Sequence, residues 1–395
     1  MHVLIIPSWY PSQPGDPFGS FFREQALAIQ RAGCKVGVLA PRLVSLLSPL
    51  SSFKASRSVQ IEVDEGIPTY RQASMNWTPR LWHANARRIE SLGWQIYQEY
   101  CKKHGCPDII HVHSTIMSGV VAKTILERDG VPFVVSEHSS AYARGQVPQA
   151  GKEIVRYVAE KASGKFAVST PFCRLLEKTL NFPNNSYICL PNMVDQAFLE
   201  EPMSFREGQQ KRFLHVSMLD KNKNVQLILH AFCDAFLGNM NISLTIGGDG
   251  PERSELISLA KELEIEPQIN FLGRLDRDEV RKEMAQADAF LLSSNYETFG
   301  IVVVEATAMG LPVVATRCGG PEDVIREQTG LLVPKGDVSA YAAAMKEVII
   351  GGGRWSAESL RSICKAEYGP DAITARWLDL YDDIVSRTAC HKTTT

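Results

Sequence analysis

The sequence predicts an α/β protein made of two Rossmann-like units, each with a parallel sheet. Three observations carry this. Strand-like apolar runs alternate with helix-like segments along all 395 residues, the order expected of strands joined by crossover helices. The length suits two domains of ordinary size, each with its own core. A polar stretch at 196–211, with Pro202 and Gly208, separates one run of such units from the next and reads as a linker. The expected division is therefore 1–195, linker 196–211, a second unit 212–370, and a terminal helix with a frayed tail over 371–395.

Composition narrows the class. Apolar content of 45% and charged content of 22% are ordinary for a soluble globular protein. No apolar run is long enough to span a bilayer. The start, Met1-His2-Val3-Leu4-Ile5-Ile6-Pro7, lacks the basic flank and the length of a signal peptide, so a cytoplasmic location is expected. The nine scattered cysteines read as reduced thiols, not a disulfide framework. The net charge of −2 hides an asymmetry: residues 1–200 hold 21 Lys/Arg against 16 Asp/Glu, and the remainder holds 21 against 28. That excess favours an anionic partner for the first half and is too modest to imply nucleic acid binding.

The first unit opens with the apolar strand His2–Ser8, a Pro/Gly-rich loop from Pro11 to Gly19, and a helix from Ser20 to Ala32. A second strand covers Lys35–Pro41. The G-x-G-x-x-G of a dinucleotide site is absent after the first strand. Gly19 and Ser20 stand instead at a helix N-terminus, where free N–H groups suit a phosphate or a hydroxyl, or where Ser20 and its neighbour simply cap. Leu43–Ser58 reads as an exposed insertion. Arg71–Lys103 mixes Arg71, Arg80, Arg87, Arg88, Lys102 and Lys103 with Trp77, Trp82, Trp94, Tyr97 and Tyr100. Aromatics beside cations fit a peripheral membrane contact; an amphipathic helix with core-facing aromatics fits too.

Asp108-Ile109-Ile110-His111-Val112-His113 is a buried strand with a polar end. Strand alternation puts His111 and His113 on one side, with His113 nearer the carboxyl end, where ligands sit in open α/β sheets. Phe133–Ser136 is a further strand, followed by Glu137 and His138. Cys101, His104, Cys106, His111 and His113 fit no standard zinc spacing, and no metal is expected.

The second unit starts at Phe213–Val216. Lys221 and Lys223 follow in a loop before the helix Val225–Leu237, a setting for a diphosphate. Gly247-Gly248-Asp249-Gly250-Pro251-Glu252 is a tight turn after a strand. Gly273 and Arg274 end the next strand. Asp276-Arg277-Asp278 precedes the helix Glu279–Ala287 and reads as a helix cap, not as a metal-binding pair. The richest stretch is Ser293–Gly310. A loop carries Glu297, and Glu305 follows eight residues later inside a helix that begins near Gly300. The helix start suits a phosphate, Gly300 admits close approach, and two carboxylates can accept from sugar or ribose hydroxyls.

Glu297-x7-Glu305 with Phe299-Gly300, Gly310-Leu311-Pro312-Val313 and Gly319-Gly320-Pro321-Glu322 resembles the donor site of family 4 glycosyltransferases. The likeness spans almost the whole chain, strongly over 212–340 and more loosely over 1–195. It implies the GT-B fold, with two facing Rossmann-like domains, a last helix that crosses back to the N-terminal domain, and a retaining transfer from a nucleotide sugar. By the same resemblance, Lys223 and the N–H groups of Thr298, Phe299, Gly300 and Ile301 hold the diphosphate. Glu305 takes the ribose, Glu297 the sugar hydroxyls, and His113 the sugar near the reacting carbon. Gly19, Ser20, Lys221, Gly248 and Arg274 border the donor, and Glu137 and His138 the acceptor. Two residues depart from the family pattern: Met218 stands where an Arg is usual, and Met193 where Pro-Asn-Gly-Val-Asp has Gly. The expected substrate is UDP-glucose and the acceptor a saccharide or a lipid-linked saccharide, with no metal or cofactor and a location at most at the inner membrane face. A GDP-mannose-type donor, a UDP-sugar 2-epimerase-like enzyme and a non-catalytic sugar-nucleotide binder are the alternatives.

Overall fold

The computed structural model describes residues 1–11, 19–45, 58–202, 210–350 and 354–393. The centre of the Pro11–Gly19 loop, most of the Leu43–Ser58 insertion and much of the expected linker lie outside the described residues. The chain forms two compact units, one of Met1–Pro191 with Ile373–Thr395 and the other of Asn192–Ala372.

Among the described residues, the first unit has eight strands: β1 (His2–Pro7), β2 (Lys35–Ser45), β3 (Gln60–Asp64), β4 (Ile67–Asn76), β5 (Ile109–His113), β6 (Phe133–Glu137), β7 (Gly164–Ala167) and β8 (Ile188–Cys189). Their order is β3-β4-β2-β1-β5-β6-β7-β8. All pairs are parallel except β3 with β4. The central strands β1, β5 and β6 are buried along their whole length, which explains their unbroken apolar character. The helices are α1 (Ser20–Arg31), α2 (Trp82–His104), α3 (Thr115–Asp129), α4 (Gln149–Lys161) and α5 (Thr170–Leu180).

Among its described residues, the second unit has six parallel strands: β9 (Lys211–Val216), β10 (Ile242–Gly247), β11 (Ile269–Gly273), β12 (Ala289–Leu292), β13 (Val313–Thr316) and β14 (Gly330–Val333). Their order, β11-β10-β9-β12-β13-β14, reverses direction between β9 and β12. The helices are α6 (Gln196–Glu200), α7 (Val225–Phe236), α8 (Arg253–Glu262), α9 (Arg277–Ala285), α10 (Ile301–Ala308), α11 (Pro321–Val324), α12 (Val338–Ile350) and α13 (Ala357–Tyr368). Phe213, Leu244 and Leu291 from the sheet meet Ile228 and Phe232 of α7 and Tyr341 and Met345 of α12 in one core. The last helix is α14 (Pro370–Thr393).

Three expectations change. The division falls at 191/192, because Val194 N–H donates to Tyr368 O at 2.8 Å and Asp195 pairs with Arg277 at 3.1 Å, which ties these residues to the second unit. Residues 196–200 of the expected linker are helical, started by the Asp195 side chain, which accepts from Ala197 N–H at 3.0 Å. The expected frayed tail stays helical to Thr393, helped by an Arg387–Asp383 pair at 2.8 Å and by Thr388 Oγ1 donating to Ile384 O at 2.8 Å. Met193 has no positive φ and buries its side chain, so the turn there dispenses with a left-handed residue. Within α2 the core-facing reading holds for two aromatics. Tyr97 and Tyr100 are buried, and the Tyr100 hydroxyl lies 2.7 Å from His2 Nε2.

Candidate functional site

In an open parallel sheet, ligands gather beyond the strand ends where the strand order reverses. In the second unit that point lies at the carboxyl ends of β9 and β12. The loop after β9 carries Lys223, and the loop after β12 carries Glu297. Their side chains meet, with Lys223 Nζ 2.5 Å from Glu297 Oε1. Ser294 Oγ donates to the same oxygen at 2.6 Å.

Backbone contacts set this geometry. Asp220 Oδ1 accepts from the N–H groups of Asn222 and Lys223 at 3.0 and 3.1 Å and curls the first loop. Asn222 Nδ2 donates to Tyr296 O at 3.0 Å, and Ser293 Oγ donates to Lys223 O at 2.7 Å. The two loops are thus stitched together before any ligand arrives. Glu297 is also bridged to Gly319: its N–H donates to Cys318 O and its carbonyl accepts from Gly320 N–H, both at 2.9 Å. A Cβ on Gly320 would lie 2.3 Å from Phe299 Cα, so this approach requires glycine.

Gly300, with φ 84°, is the N-cap of α10. The first N–H groups of a helix have no intrahelical acceptor, and here they open next to Glu297 in the chain. The Phe299 side chain is buried near the Tyr368 ring, at 6.0 Å, so only the backbone of Phe299 is offered to a ligand. Glu305 is buried on α10 with Oε1 3.2 Å from Arg277 Nη1. Burial raises its pKa, opposed by Arg277 and reinforced by Asp195.

The other expected donor residues are less drawn together. Lys221 is exposed, and its carbonyl accepts from Asn295 Nδ2 at 3.0 Å, so its backbone joins the stitched loops. A Cβ on Gly248 would fall 1.8 Å from Ser217 O, which packs the loop after β10 against the loop after β9. Arg274 is exposed after the edge strand β11, two strands from β9. Thr298 is half-buried beside Glu297, and Ile301 begins α10. Asp276 and Glu279 form the expected cap as a reciprocal capping box, each bond 2.8 Å.

Sequence reasoning missed three participants. His215 joins the central strands: its ring nitrogens lie 2.9 Å from Leu291 O and 2.7 Å from Ser217 Oγ, and burial pushes its pKa down to about 4. A lone polar residue inside the apolar run Phe213–Val216 was the signal. Arg277 pairs with both Glu305 and Asp195. Lys335 Nζ donates to Asn295 O at 3.2 Å.

The first unit places a second constellation beyond β1, β5 and β6. His111 and His113 do share a face, with ring centroids 4.0 Å apart. His113 Nδ1 lies 3.2 Å from His138 Nε2, and its ring packs on Phe22 at 4.7 Å. Burial first, then His111 and His138, holds the His113 pKa well below its usual value, so the ring is neutral. Gly19 is the left-handed N-cap of α1, and Ser20 opens the helix that brings Phe21 and Phe22 onto His138. Ser8 donates or accepts at three places in the turn after β5: Ser114 O, Ile116 O at 2.7 Å and Ser118 Oγ at 2.7 Å. That turn holds Ser114 and Met117 at positive φ, a conformation that surrounding contacts must sustain.

Glu137 corrects an expectation. It is 1% exposed, and its oxygens accept from Thr115 N–H at 2.9 Å, His138 N–H at 3.0 Å, Ser139 N–H at 3.1 Å and Tyr142 O–H at 3.2 Å. With four donors satisfied, the carboxylate fastens the strand-end loops and is not presented to an acceptor. Beside this region a cavity of about 220 Å³ is lined by Ser8, Trp9, Tyr10, Arg42, Arg71 and Gln72, among others. Among the described residues, no three His, Cys, Asp or Glu side chains are grouped to hold a metal, and no helix is long and apolar enough to cross a membrane.

Two family models match the chain: "Glycosyl transferase 4-like domain" over residues 19–193 and "Glycosyl transferases group 1" over 200–363. A glycogen synthase of Mycobacterium tuberculosis is 26% identical over 88% of this chain and 86% of its own length. An N-acetyl-alpha-D-glucosaminyl L-malate synthase of Bacillus anthracis is 29% identical over 60% of this chain and 63% of its own. Among solved structures, Anabaena HepE in complex with UDP superposes with a TM-score of 0.72 at 18% identity, over 97% of this chain and all of that one. The two matched models between them cover most of both units; the chain belongs to the family 4-like glycosyltransferases of the GT-B fold.

Proposed function

We propose that this glycosyltransferase moves a hexose from a nucleotide-diphosphate sugar, UDP-glucose in our reading, to a hydroxyl of a saccharide or lipid-linked saccharide, with retention. The observation that carries it is the Lys223–Glu297 pair at the point where the strand order reverses. A cation and a carboxylate there, next to the free start of α10, match a ligand that is anionic at one end and rich in hydroxyls at the other. Lys223 and the helix start take the diphosphate, whose charge grows as the bond to the sugar breaks. Glu297 accepts from sugar hydroxyls, and Glu305 from the ribose. The neutral His113 donates or accepts toward the transferred sugar. No side chain is assigned as a nucleophile. The bond from the anomeric carbon to the diphosphate oxygen breaks, the acceptor oxygen bonds from the same face, and its proton passes to the leaving phosphate. The scheme employs neither a metal nor a cofactor.

The saccharide acceptor is supported by the glycogen synthase relative, and the UDP donor by the HepE structure. The saturated Glu137 leaves the epimerase alternative without its acid–base carboxylate. A thermal-shift screen of UDP, GDP, ADP and their sugars, with and without chelator, tests the reading. A shift with UDP and UDP-glucose supports it; a preference for GDP changes the donor; no shift with any nucleotide overturns the enzyme reading. Product NMR reports the anomeric configuration, and inversion would refute retention. A Glu305→Ala protein with undiminished UDP affinity would remove the ribose role.

A further inference from the structure

We infer that the connection from β4 to α2 docks on an anionic lipid surface. Trp77 and Leu81 are 61% and 59% exposed, unusual for side chains of this size. Arg80, between them in the chain, and Arg87, in the second turn of α2, are also exposed. No carboxylate occurs from Trp77 to Ile89; the next, Glu90, is engaged with Lys123 and Thr124, and among the described residues no ion pair is found for Arg80 or Arg87. The turn is held rigid from below. Asn85 Nδ2 donates to Thr78 O at 2.9 Å, Thr78 Oγ1 donates to Asn85 Oδ1 at 3.1 Å, and Arg88 Nη1 donates to Met75 O at 2.9 Å. The apolar pair is therefore presented without a large ordering cost.

A bilayer surface fits this arrangement better than a protein. A tryptophan prefers the headgroup level, and a leucine can enter the acyl boundary. The arginines meet anionic headgroups. A second copy of the chain docking by the same patch would set arginines against arginines across a two-fold axis. The patch also lies at a useful place. β4 runs parallel to β2, which is parallel to β1 and β5, so Trp77 follows the same end of the sheet that carries Ser8 and His113. A lipid-linked substrate held at the surface would reach that end without leaving the membrane.

The test uses the full chain and no activity assay, so it stands apart from the catalytic reading. Co-sedimentation is measured with vesicles of phosphatidylcholine alone and of equal parts phosphatidylcholine and phosphatidylglycerol. The expected result is binding to the mixed vesicles only, weakening as salt rises. Arg80→Gln with Arg87→Gln lowers partitioning by roughly 25-fold, about fivefold for each cation near the surface. Trp77→Ser with Leu81→Ser weakens binding at every salt concentration. Circular dichroism of both variants should be unchanged, since all four side chains face solvent. Binding to neither vesicle, equal binding to both, or wild-type binding by both variants would overturn the proposal. So would a concentration-dependent dimer that the Trp77→Ser, Leu81→Ser protein loses.

Discussion

Both units wind their parallel strands so that the order reverses beside the first strand, and both collect polar side chains at that place. What they collect differs. The second unit gathers charge: Lys223 against Glu297, both largely buried, with Glu297 in the loop that leads into α10. The first unit gathers rings: His111 stacked beside His113, and His113 and His138 packed with Phe22, with burial keeping His111 and His113 uncharged. The same winding thus serves two chemistries. A charged pair can exchange partners with a diphosphate. A buried aromatic and imidazole cluster can shape a space for neutral hydroxyls and cannot hold an anion.

If that contrast is right, the two sites should fail differently. Lys223→Met should cost about 100-fold or more in kcat and should also weaken UDP binding, because the cation acts on both bound and departing diphosphate. His113→Ala should reduce turnover and leave UDP affinity, measured by calorimetry, within about twofold, since a neutral imidazole contributes little toward a diphosphate. Equal loss of UDP affinity in both variants would break the comparison.

Acid should act on the neutral histidines. A buried His with a lowered folded pKa favours folding fully above its unfolded value near 6.5, and that contribution is lost as pH falls. For His215, lowered to about 4, the loss approaches roughly 3 kcal/mol by pH 4. His111 and His113 add in the same direction. Denaturant midpoints should therefore drop steadily below pH 6.5. A flat profile down to pH 5 would contradict the buried neutral assignment.

Glu137→Gln should destabilise the first unit by about 2 kcal/mol, because all four partners are donors and an amide must point an N–H at one of them. Urea midpoints and the His113→Ala comparison would show whether the loss reaches the histidine cluster. The smallest effect expected is a gain. Met218 is 64% exposed at the rim of the Lys223 loop, so Met218→Arg should tighten UDP by up to about tenfold through an added charge-assisted contact. No change would mean that Lys221 or Lys335 already supplies the second cation.

The sequence made the donor loops legible because glycines and strand ends are local signals. Gly319 and Gly320 sit where backbones nearly touch, and Gly300 has a left-handed φ of 84°. The capping box at Asp276 was equally local. What stayed hidden was tertiary. Glu137 looked like a cleft carboxylate, and nothing in its neighbours' spacing showed that Thr115, from the preceding strand's turn, would donate to it. Arg277 read as part of a cap, while its guanidinium reaches back to Asp195 and across to Glu305. In α2 a single amphipathic pattern left two faces open; packing against β2 decided it, since a Cβ on Gly37 would strike the Tyr100 hydroxyl.

The Lys223–Glu297 pair has one more consequence. In the empty protein each group is the other's counter-ion, so any ligand must outcompete an internal rival that is always present at high local concentration. Inorganic phosphate offers Lys223 a replacement but strands Glu297; a free sugar does the reverse. Only a molecule that carries both ends compensates both partners at once. After the sugar has left, the nucleotide again faces the re-forming pair alone. With the roles proposed above for Lys223 and Glu297, self-competition between the two side chains would favour the intact donor and hasten the departure of the spent one.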